Sequence, residues 1–183
     1  MELGLLTLGD HLTDPVTGAR QTQAERHRGL VEQAVVAERS GFTSVHLGEH
    51  HFCDYILSAP PIVLAAIGER TSTLRLSTGV TLGANIDPVR LAEDYAMADI
   101  VTDGRLIMGV GRGYHTREVE SMGAPLLDTD ANRRMFEEQL QLLLKPFHQE
   151  EFSHKGEYYT VPADVDYRGY RLKDVTLVPR PKH

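Results

Sequence analysis

The sequence predicts an α/β domain built from parallel strands. Short apolar runs alternate with longer segments of helical periodicity, and this strand-then-helix unit occurs four times along the chain. The second, third and fourth predicted strands begin near residues 44, 74 and 106, a spacing that accommodates one crossover helix between neighbours. Parallel strands joined by helical crossovers define the α/β class.

Each unit has recognisable ends. The predicted strands cover residues 3–8, 44–48, 74–80 and 106–110. The predicted helices cover residues 21–40, 60–70, 88–102 and 132–144. Gly41 ends the first helix, prolines open the second and third, and Pro146 terminates the fourth. The following stretch, EEFSHKGEYYTVPA, predicts a β-hairpin with its turn at Lys155-Gly156.

Composition and charge narrow the function classes. The 183 residues are 41% hydrophobic and 25% charged, which is typical of one soluble globular domain. A formal net charge of −7 without a dense Lys/Arg run argues against nucleic acid and anionic membranes as partners. The N-terminal run MELGLLTLGD is too short for a signal peptide or a membrane span. The single cysteine, Cys53, rules out an internal disulfide and is expected to pack rather than react. Together these features predict a cytoplasmic protein.

Unusual polar or glycine-rich groups follow every predicted strand. The groups are Asp10-His11, Glu49-His50-His51, the Thr78–Thr81 stretch, and Gly111-Arg112-Gly113. The carboxyl ends of parallel strands lie on one face of the fold, which in a (β/α) barrel is the active-site face. The four groups are therefore expected to converge on one mouth.

The glycine run GVGRGY, residues 109–114, allows two interpretations. It does not complete the dinucleotide fingerprint G-x-G-x-x-G, because Tyr114 occupies the last glycine position. In one interpretation the glycines are simply small residues in a strand-to-loop turn. In the other they give a phosphate access to the backbone, with Arg112 as a bidentate anchor. An arginine between two glycines at a strand end modestly favours the second.

The adjacent histidines allow three interpretations. Side chains alternate along a strand, so His50 and His51 are expected to point in different directions and not to share one metal ion. No H-E-x-x-H zinc motif occurs either. The remaining possibilities are an ordinary hydrogen-bonded histidine pair, or one histidine that faces the pocket as an acid or base.

Three segments resemble one protein family when they are taken in order. They are residues 29–52 (GLVEQAVVAERSGFTSVHLGEHHF), 64–114 (LAAIGERTSTLRLSTGVTLGANIDPVRLAEDYAMADIVTDGRLIMGVGRGY) and 132–143 (NRRMFEEQLQLL). The ordered set of E-H-H, T-G-V, P-V-R-x-A-E-D and G-R followed by G-x-G-R-G resembles the bacterial-luciferase-like flavin-dependent oxidoreductases. The resemblance extends over nearly the whole chain.

This resemblance implies a fold, a reaction and a cofactor. Members of that family are TIM (β/α)8 barrels that bind FMN or the deazaflavin F420 at the C-terminal mouth. In the luciferase branch a separate reductase supplies reduced FMN, which reacts with oxygen, so the implied activity is a flavin-dependent monooxygenase acting on a small organic substrate. Two alternatives remain: an F420-dependent dehydrogenase on the same fold, and a noncatalytic half-barrel assembly module.

The resemblance also implies roles for particular residues. His50 matches the family's catalytic histidine, and Glu49 is expected to orient it. The implied cofactor-binding positions are the Gly79-Val80 peptide, which matches a non-proline cis peptide under the flavin, the Gly111-Arg112-Gly113 motif, and Arg133 as a second phosphate ligand. Arg134 is a rival to Arg133, because the preceding loop differs in length from that of luciferase.

The chain departs from the family in the number of its βα units. TIM barrels have eight units and run to about 250 residues, whereas four units and a hairpin are recognisable here. Residues 1–183 are therefore expected to form the N-terminal half of a barrel, incomplete or inactive without a C-terminal half or a second copy of the chain. Strand residues such as Leu6, Leu47, Leu76 and Ile107 are expected to lack a complete opposing layer.

Overall fold

The computed structural model describes residues 1–83, 86–166 and 168–182, which fall into two compact units. The first, here called the sheet unit, comprises Met1–Thr81, Ala98–Gly111 and Lys182. The second, here called the hairpin unit, comprises Leu82–Met97 and Arg112–Pro181. Each unit is described separately below.

The elements follow the predicted order. The strands are β1 (Gly4–Thr7), β2 (Ser44–Leu47), β3 (Arg75–Thr78), β4 (Thr81–Leu82), β5 (Leu106–Ile107), β6 (Val110–Gly111), β7 (Glu151–Phe152), β8 (His154–Lys155), β9 (Thr160–Val161) and β10 (Val175–Thr176). The helices are α1 (Gln23–Arg39), α2 (Pro60–Gly68), α3 (Pro88–Val101), α4 (Thr116–Val119) and α5 (Thr129–His148). Both β3 and β5 are shorter than predicted, because the chain leaves the sheet at Gly79 and at Met108 and continues in the two-residue strands β4 and β6.

A parallel sheet with the order β1-β2-β3-β5 forms the centre of the sheet unit, which confirms the predicted class. Its register places Val45, Leu47 and Leu76 toward α1 and α2, where all three are almost completely buried. The opposite face carries the row Leu6, His46, Ser77 and Ile107, which are paired across the four strands.

Exposure differs sharply between these two faces. Leu6 is 62% exposed and Ile107 is 43% exposed, as expected for residues without a complete opposing layer. The same expectation is wrong for Leu47 and Leu76, which are 0% exposed. The reason is the two-residue period of a strand, which puts these leucines on the face that the helices cover.

Helix boundaries follow from capping groups that the periodicity does not reveal. Thr22 and Glu25 form a capping box at the start of α1, in which each side chain accepts a hydrogen bond from the other's backbone N–H. Asp128 caps α5 by accepting from the Ala131 amide at 2.9 Å, so this helix starts earlier than predicted. The prediction that Pro146 terminates the helix is wrong. A proline near the C-terminus removes one backbone hydrogen bond, and the buried face containing Leu142, Leu143 and Pro146 offsets that loss.

In the hairpin unit, α5 is attached to the predicted hairpin by one carboxylate. Strands β8 and β9 pair antiparallel, and the Gly156 amide donates to the Tyr159 carbonyl across the turn. The Glu138 carboxylate accepts hydrogen bonds from the amides of residues 157, 158 and 159 and from His154 Nε2. Burial raises the pKa of Glu138, but these hydrogen bonds outweigh burial and lower it. The hairpin prediction is therefore confirmed, with the turn beginning at Gly156.

Candidate active site

The loops that follow β1 and β2 are joined by backbone hydrogen bonds. The His11 amide donates to the Asp54 carbonyl at 2.8 Å, and the Ile56 amide donates to the Gly9 carbonyl at 3.0 Å. An isolated antiparallel bridge also links Asp10 with Tyr55. The polar groups of the first two strand ends therefore converge, as the sequence predicts.

These loops and the start of α1 surround a cavity of about 490 Å³. Its lining is rich in side chains that can donate or accept protons, namely His11, His27, His50, His51, Tyr55 and Arg20. The volume lies within the range of small-molecule sites. No group of three or more His, Cys, Asp or Glu in the described parts of the chain is arranged to hold a metal ion.

Glu49 is a buried carboxylate at the base of this site. It is 3% exposed, and its amide donates to the Val80 carbonyl at 3.1 Å. His51 Nε2 lies 2.8 Å from Glu49 Oε1. The carboxylate is bonded to His51, and the assignment of Glu49 to orienting His50 stays a prediction. A buried carboxylate at this distance holds an imidazole in one orientation.

His50 and His51 line the same cavity. The sequence predicts side chains that point in different directions, with one facing the pocket, but both line this cavity because β2 ends at Leu47 and strand alternation does not continue to residue 50. The His50 amide donates to the Leu57 carbonyl at 3.1 Å, and its ring lies 5.1 Å from that of Tyr55. Tyr55 thus belongs to the site, although it occupies a loop without periodicity that would single it out.

Phe52 is a second residue that the sequence does not indicate. Its φ of 57° lies in the left-handed region, which is unusual for a bulky side chain, and it is 61% exposed. Backbone conformations of this kind cost about 1–3 kcal/mol and cluster at functional sites. The Phe52 ring lies 6.0 Å from the His51 ring, so the residue with the unusual backbone is next to the two histidines of the candidate site.

The Gly79-Val80 peptide is cis, as the resemblance implies. The Gly79 amide donates to the Leu47 carbonyl at 2.8 Å, and Val80 accepts from Glu49 as described above. The third strand end is thereby joined directly to the second. Glu49, His50, Gly79 and Val80 therefore belong to one continuous group in the sheet unit.

Gly109 and Gly111 are required by close packing. A Cβ atom on Gly109 would lie 2.2 Å from the Thr78 carbonyl oxygen, and one on Gly111 would lie 2.5 Å from Val80 Cγ2. The Thr78 hydroxyl also donates to the Gly109 carbonyl at 2.8 Å. These contacts bring the end of the fourth predicted strand to the group formed by Glu49, His50, Gly79 and Val80. They favour the interpretation that Gly109 and Gly111 are simply small residues in a strand-to-loop turn.

Arg105, the arginine of the G-R motif, has a structural role. The Arg105 guanidinium donates to the carbonyls of Gly68, Thr71, Leu74 and Thr102 and to the Thr71 hydroxyl. It thereby ties the ends of two helices to the start of β5. A guanidinium with this many partners has its donors already engaged.

The other sequence-predicted cofactor residues lie in the hairpin unit. Arg112 is exposed, and Gly113 has a φ of 84° with Val119 Cγ2 2.6 Å from the position of a Cβ. Arg133 is exposed and 3.5 Å from Asp130. Arg134 is 3.6 Å from Glu157, and Tyr158 and Glu157 raise the pKa of its guanidinium. Arg134 is therefore the more strongly engaged of the two rival arginines.

The family assignment comes from comparison with known proteins. The sequence profile of the luciferase-like monooxygenases matches residues 1–183, the whole chain. This chain belongs to the luciferase-like monooxygenase family. No helix in the described ranges is both long and apolar enough to cross a membrane.

Named relatives in the family differ in cofactor. The chain is 29% identical over 144 residues to the oxygenase component of a flavin-dependent trigonelline monooxygenase from Acinetobacter baylyi. It is 34% identical over 145 residues to an F420-dependent glucose-6-phosphate dehydrogenase from Segniliparus rotundus. These alignments cover 78% and 75% of this chain, respectively.

A solved structure shows the same arrangement of elements. The monooxygenase RslO1 from Streptomyces bottropensis is similar with a TM-score of 0.80 and 26% identity, over 99% of this chain. The match covers 50% of RslO1, and the two relatives above are covered to 39% and 43%. The chain thus spans half or less of the length of these luciferase-like proteins.

Proposed function

We propose that the chain belongs to an oxygenase that uses reduced FMN and molecular oxygen to oxidise a small organic substrate. The observation that carries the proposal is the Glu49–His51 pair, with His50 beside it on the same cavity. The oxygenase component of the flavin-dependent trigonelline monooxygenase is one relative whose activity agrees with it.

The residues of the sheet unit have complementary roles in this proposal. Glu49 fixes the orientation of the His51 ring through the 2.8 Å hydrogen bond. We assign His50, which lines the same cavity, as the acid or base that moves a proton to or from the substrate. Both imidazoles lie on a cavity of about 490 Å³, which is large enough for a small organic molecule.

The chemistry of the hairpin-unit donors fits a flavin phosphate. Arg112 and Arg133 are exposed guanidiniums, and the nearest carboxylate to Arg133, that of Asp130, is 3.5 Å away and itself largely exposed. Such groups bind phosphate through charge-assisted, bidentate hydrogen bonds. We assign Arg112 and Arg133 to the phosphate and Gly113 to the backbone beside it, whereas the packing of Gly111 against Val80 favours a structural role for that glycine.

In the sheet unit, we assign the Gly79-Val80 peptide to the segment that supports the isoalloxazine ring. The contacts of both residues with the β2 loop would then couple ring position to Glu49. When bound, reduced FMN supplies the electrons that activate oxygen, and a separate flavin reductase would deliver it. The protein's own contribution is binding, orientation and proton transfer.

We further propose that residues 1–183 form the N-terminal half of a TIM barrel. Support comes from the four-stranded parallel sheet and from the exposed Leu6 and Ile107 on the face that the helices leave uncovered. Eight parallel strands close a barrel around a filled core, so a C-terminal half or a second copy of the chain would complete it.

Two other functions have some support. The F420-dependent relative, at 34% identity, favours a dehydrogenase that transfers hydride without oxygen. The exposed apolar residues on the sheet favour a noncatalytic assembly module, in which this half only pairs with another protein.

Anaerobic titration of the purified chain with reduced FMN, oxidised FMN and F420 separates the three functions. We expect saturable binding of reduced FMN that is tighter than binding of F420, followed by oxygen uptake when air is admitted. Tighter binding of F420 would support the dehydrogenase. Absence of binding to all three, in the presence of a C-terminal half from a relative, would support the assembly module.

A further inference from the structure

A second cavity, in the hairpin unit, collects most of the chain's lysines. It has a volume of about 550 Å³ and lies between the C-terminal part of α5, the β8–β9 hairpin and residues 162–164 and 172–173. The chain contains four lysines, and three of them, Lys145, Lys155 and Lys173, line this cavity. Such a concentration of positive charge is notable in a protein whose formal net charge is −7.

Lys145 is held in place by a chain of hydrogen bonds. Its ammonium group donates to the Ser153 carbonyl at 2.7 Å and lies 3.3 Å from His154 Nδ1. An ammonium group only donates, so Nδ1 accepts and Nε2–H donates to Glu138 Oε1, 3.0 Å away. Lys145 has a third N–H, and its direction is constrained because the other two are engaged. A fixed donor loses little freedom when a ligand binds.

The carboxylates beside the cavity are already engaged by other groups, Glu138 by His154 and by amides of the hairpin. Asp164 is the acidic residue in the lining, and its carboxylate is bonded to Arg171 at 2.7 Å. Neither Lys155 nor Lys173 has an ion-pair partner among the described residues. Thr160, which pairs with Lys155 across β8 and β9, adds a hydroxyl to the lining.

We propose that this cavity binds a small, multiply charged phosphate anion. Lysine ammonium groups bind phosphate as point charges, and three around one cavity suit an anion with charge on several oxygens. The site is separate from the arginines assigned to the flavin phosphate. Lys145 and Arg133 lie on the same helix α5, twelve residues or about 18 Å apart along its axis.

Calorimetric titration of the FMN-saturated protein with inorganic pyrophosphate tests the proposal. We expect one binding site, weakened about tenfold or more in each of Lys155→Met and Lys173→Met, because each removes one charge-assisted hydrogen bond. Lys182→Met is the matched control, since it removes the one lysine outside the cavity. Raising the salt concentration from 0.05 to about 0.5 M is expected to weaken binding in the unmodified protein.

Protection of lysines from acetylation provides a second measurement that needs no variant to fold. Pyrophosphate is expected to slow the modification of Lys145, Lys155 and Lys173, as followed by peptide mass spectrometry, and to leave Lys182 unaffected. Three results would each overturn the proposal: no saturable binding, equal weakening in Lys182→Met, or loss of binding in Arg112→Ala but not in the cavity variants.

Discussion

His50 and His51 are neighbours in sequence, but they have different surroundings. His51 is bonded to the buried Glu49 carboxylate, whereas the His50 ring lies against Tyr55. We therefore propose that the carboxylate holds His51 in position and that His50 exchanges protons with the substrate.

We expect His50→Ala to lower turnover about 10²- to 10⁴-fold and to change FMN affinity little, because it removes an acid or base rather than a cofactor contact. Turnover is measured by oxygen consumption with reductase-supplied flavin, and affinity by flavin fluorescence. His148→Ala, at a histidine on α5 that does not line this cavity, is the control and is expected to retain most activity. A larger loss of turnover in His51→Ala than in His50→Ala would contradict the assignment.

Arg112 offers a test that separates a phosphate ligand from a general structural role. Arg112→Ala is expected to weaken FMN binding about 10- to 150-fold, the effect of losing one charge-assisted hydrogen bond, and to leave riboflavin binding unchanged. Riboflavin lacks the phosphate. Arg117→Ala, at a nearby arginine that lies 3.6 Å from Glu118, is the control. An unchanged preference for FMN over riboflavin would refute the phosphate assignment.

Helix α1 is connected to the start of β3 by a single carboxylate at its C-terminal end. Glu38 Oε1 accepts hydrogen bonds from the amides of Ser72, Thr73 and Leu74 and from the Thr73 hydroxyl, at 2.6–3.1 Å. Burial raises the pKa of Glu38, but these hydrogen bonds outweigh burial and lower it to about 2. The turn before β3 is therefore organised by a helix more than thirty residues earlier.

Because the folded-state pKa of Glu38 is below its unfolded value of 4.5, its contribution to stability is present above that value. It is lost as the pH falls from about 4.5 to about 2. Glu38→Ala is expected to lower the free energy of unfolding at pH 7 by about 1–2 kcal/mol, after allowance for solvent screening.

Urea unfolding at pH 7, 5 and 3 measures this effect. The difference between Glu38→Ala and the unmodified protein is expected to be similar at pH 7 and 5 and to shrink at pH 3. The control is Glu32→Ala, at another glutamate of α1, which removes an exposed ion pair with Arg70. It is expected to change the free energy of unfolding by less than about 1 kcal/mol. An undiminished difference at pH 3 would show that the charge of Glu38 is not the cause.

The parallel sheet presents two very different faces. Helices α1 and α2 bury Val45, Leu47 and Leu76 on one side, while Leu6 and Ile107 remain exposed on the other. Parallel sheets are normally covered on both faces, and large exposed apolar surfaces usually mark interfaces. The exposed row is therefore the surface through which this chain is expected to associate.

Light scattering at micromolar concentration is expected to show a species larger than the 20.4 kDa monomer when the chain is studied alone. Ile107→Lys is expected to shift this species toward the monomer by placing a charge on the exposed row. Leu127→Lys is the control, because Leu127 is 79% exposed in the hairpin unit and lies outside the row. A cooperatively folding monomer that Ile107→Lys does not alter would contradict the role of this face.

The sequence by itself determined the order of the elements, the parallel α/β class, the hairpin and the family. These features depend on local properties: the apolar period, the residues that open and close helices, and motifs whose members are close in the chain. It also predicted that Gly79-Val80 and the glycines after β5 lie at strand ends that meet. The carboxyl ends of parallel strands all lie on one face of the fold, so residues that follow these strands are brought together.

Only the tertiary structure decided which side chains meet within those elements. The Glu49–His51 bond and the shared cavity of the two histidines depend on where β2 stops, because the alternation of side chains ends with the strand. The burial of Leu47 and Leu76 depends on which face of the sheet the helices cover, and alternation alone does not decide that face. The continuation of α5 through Pro146 has a related cause, because packing against distant residues outweighs a local preference.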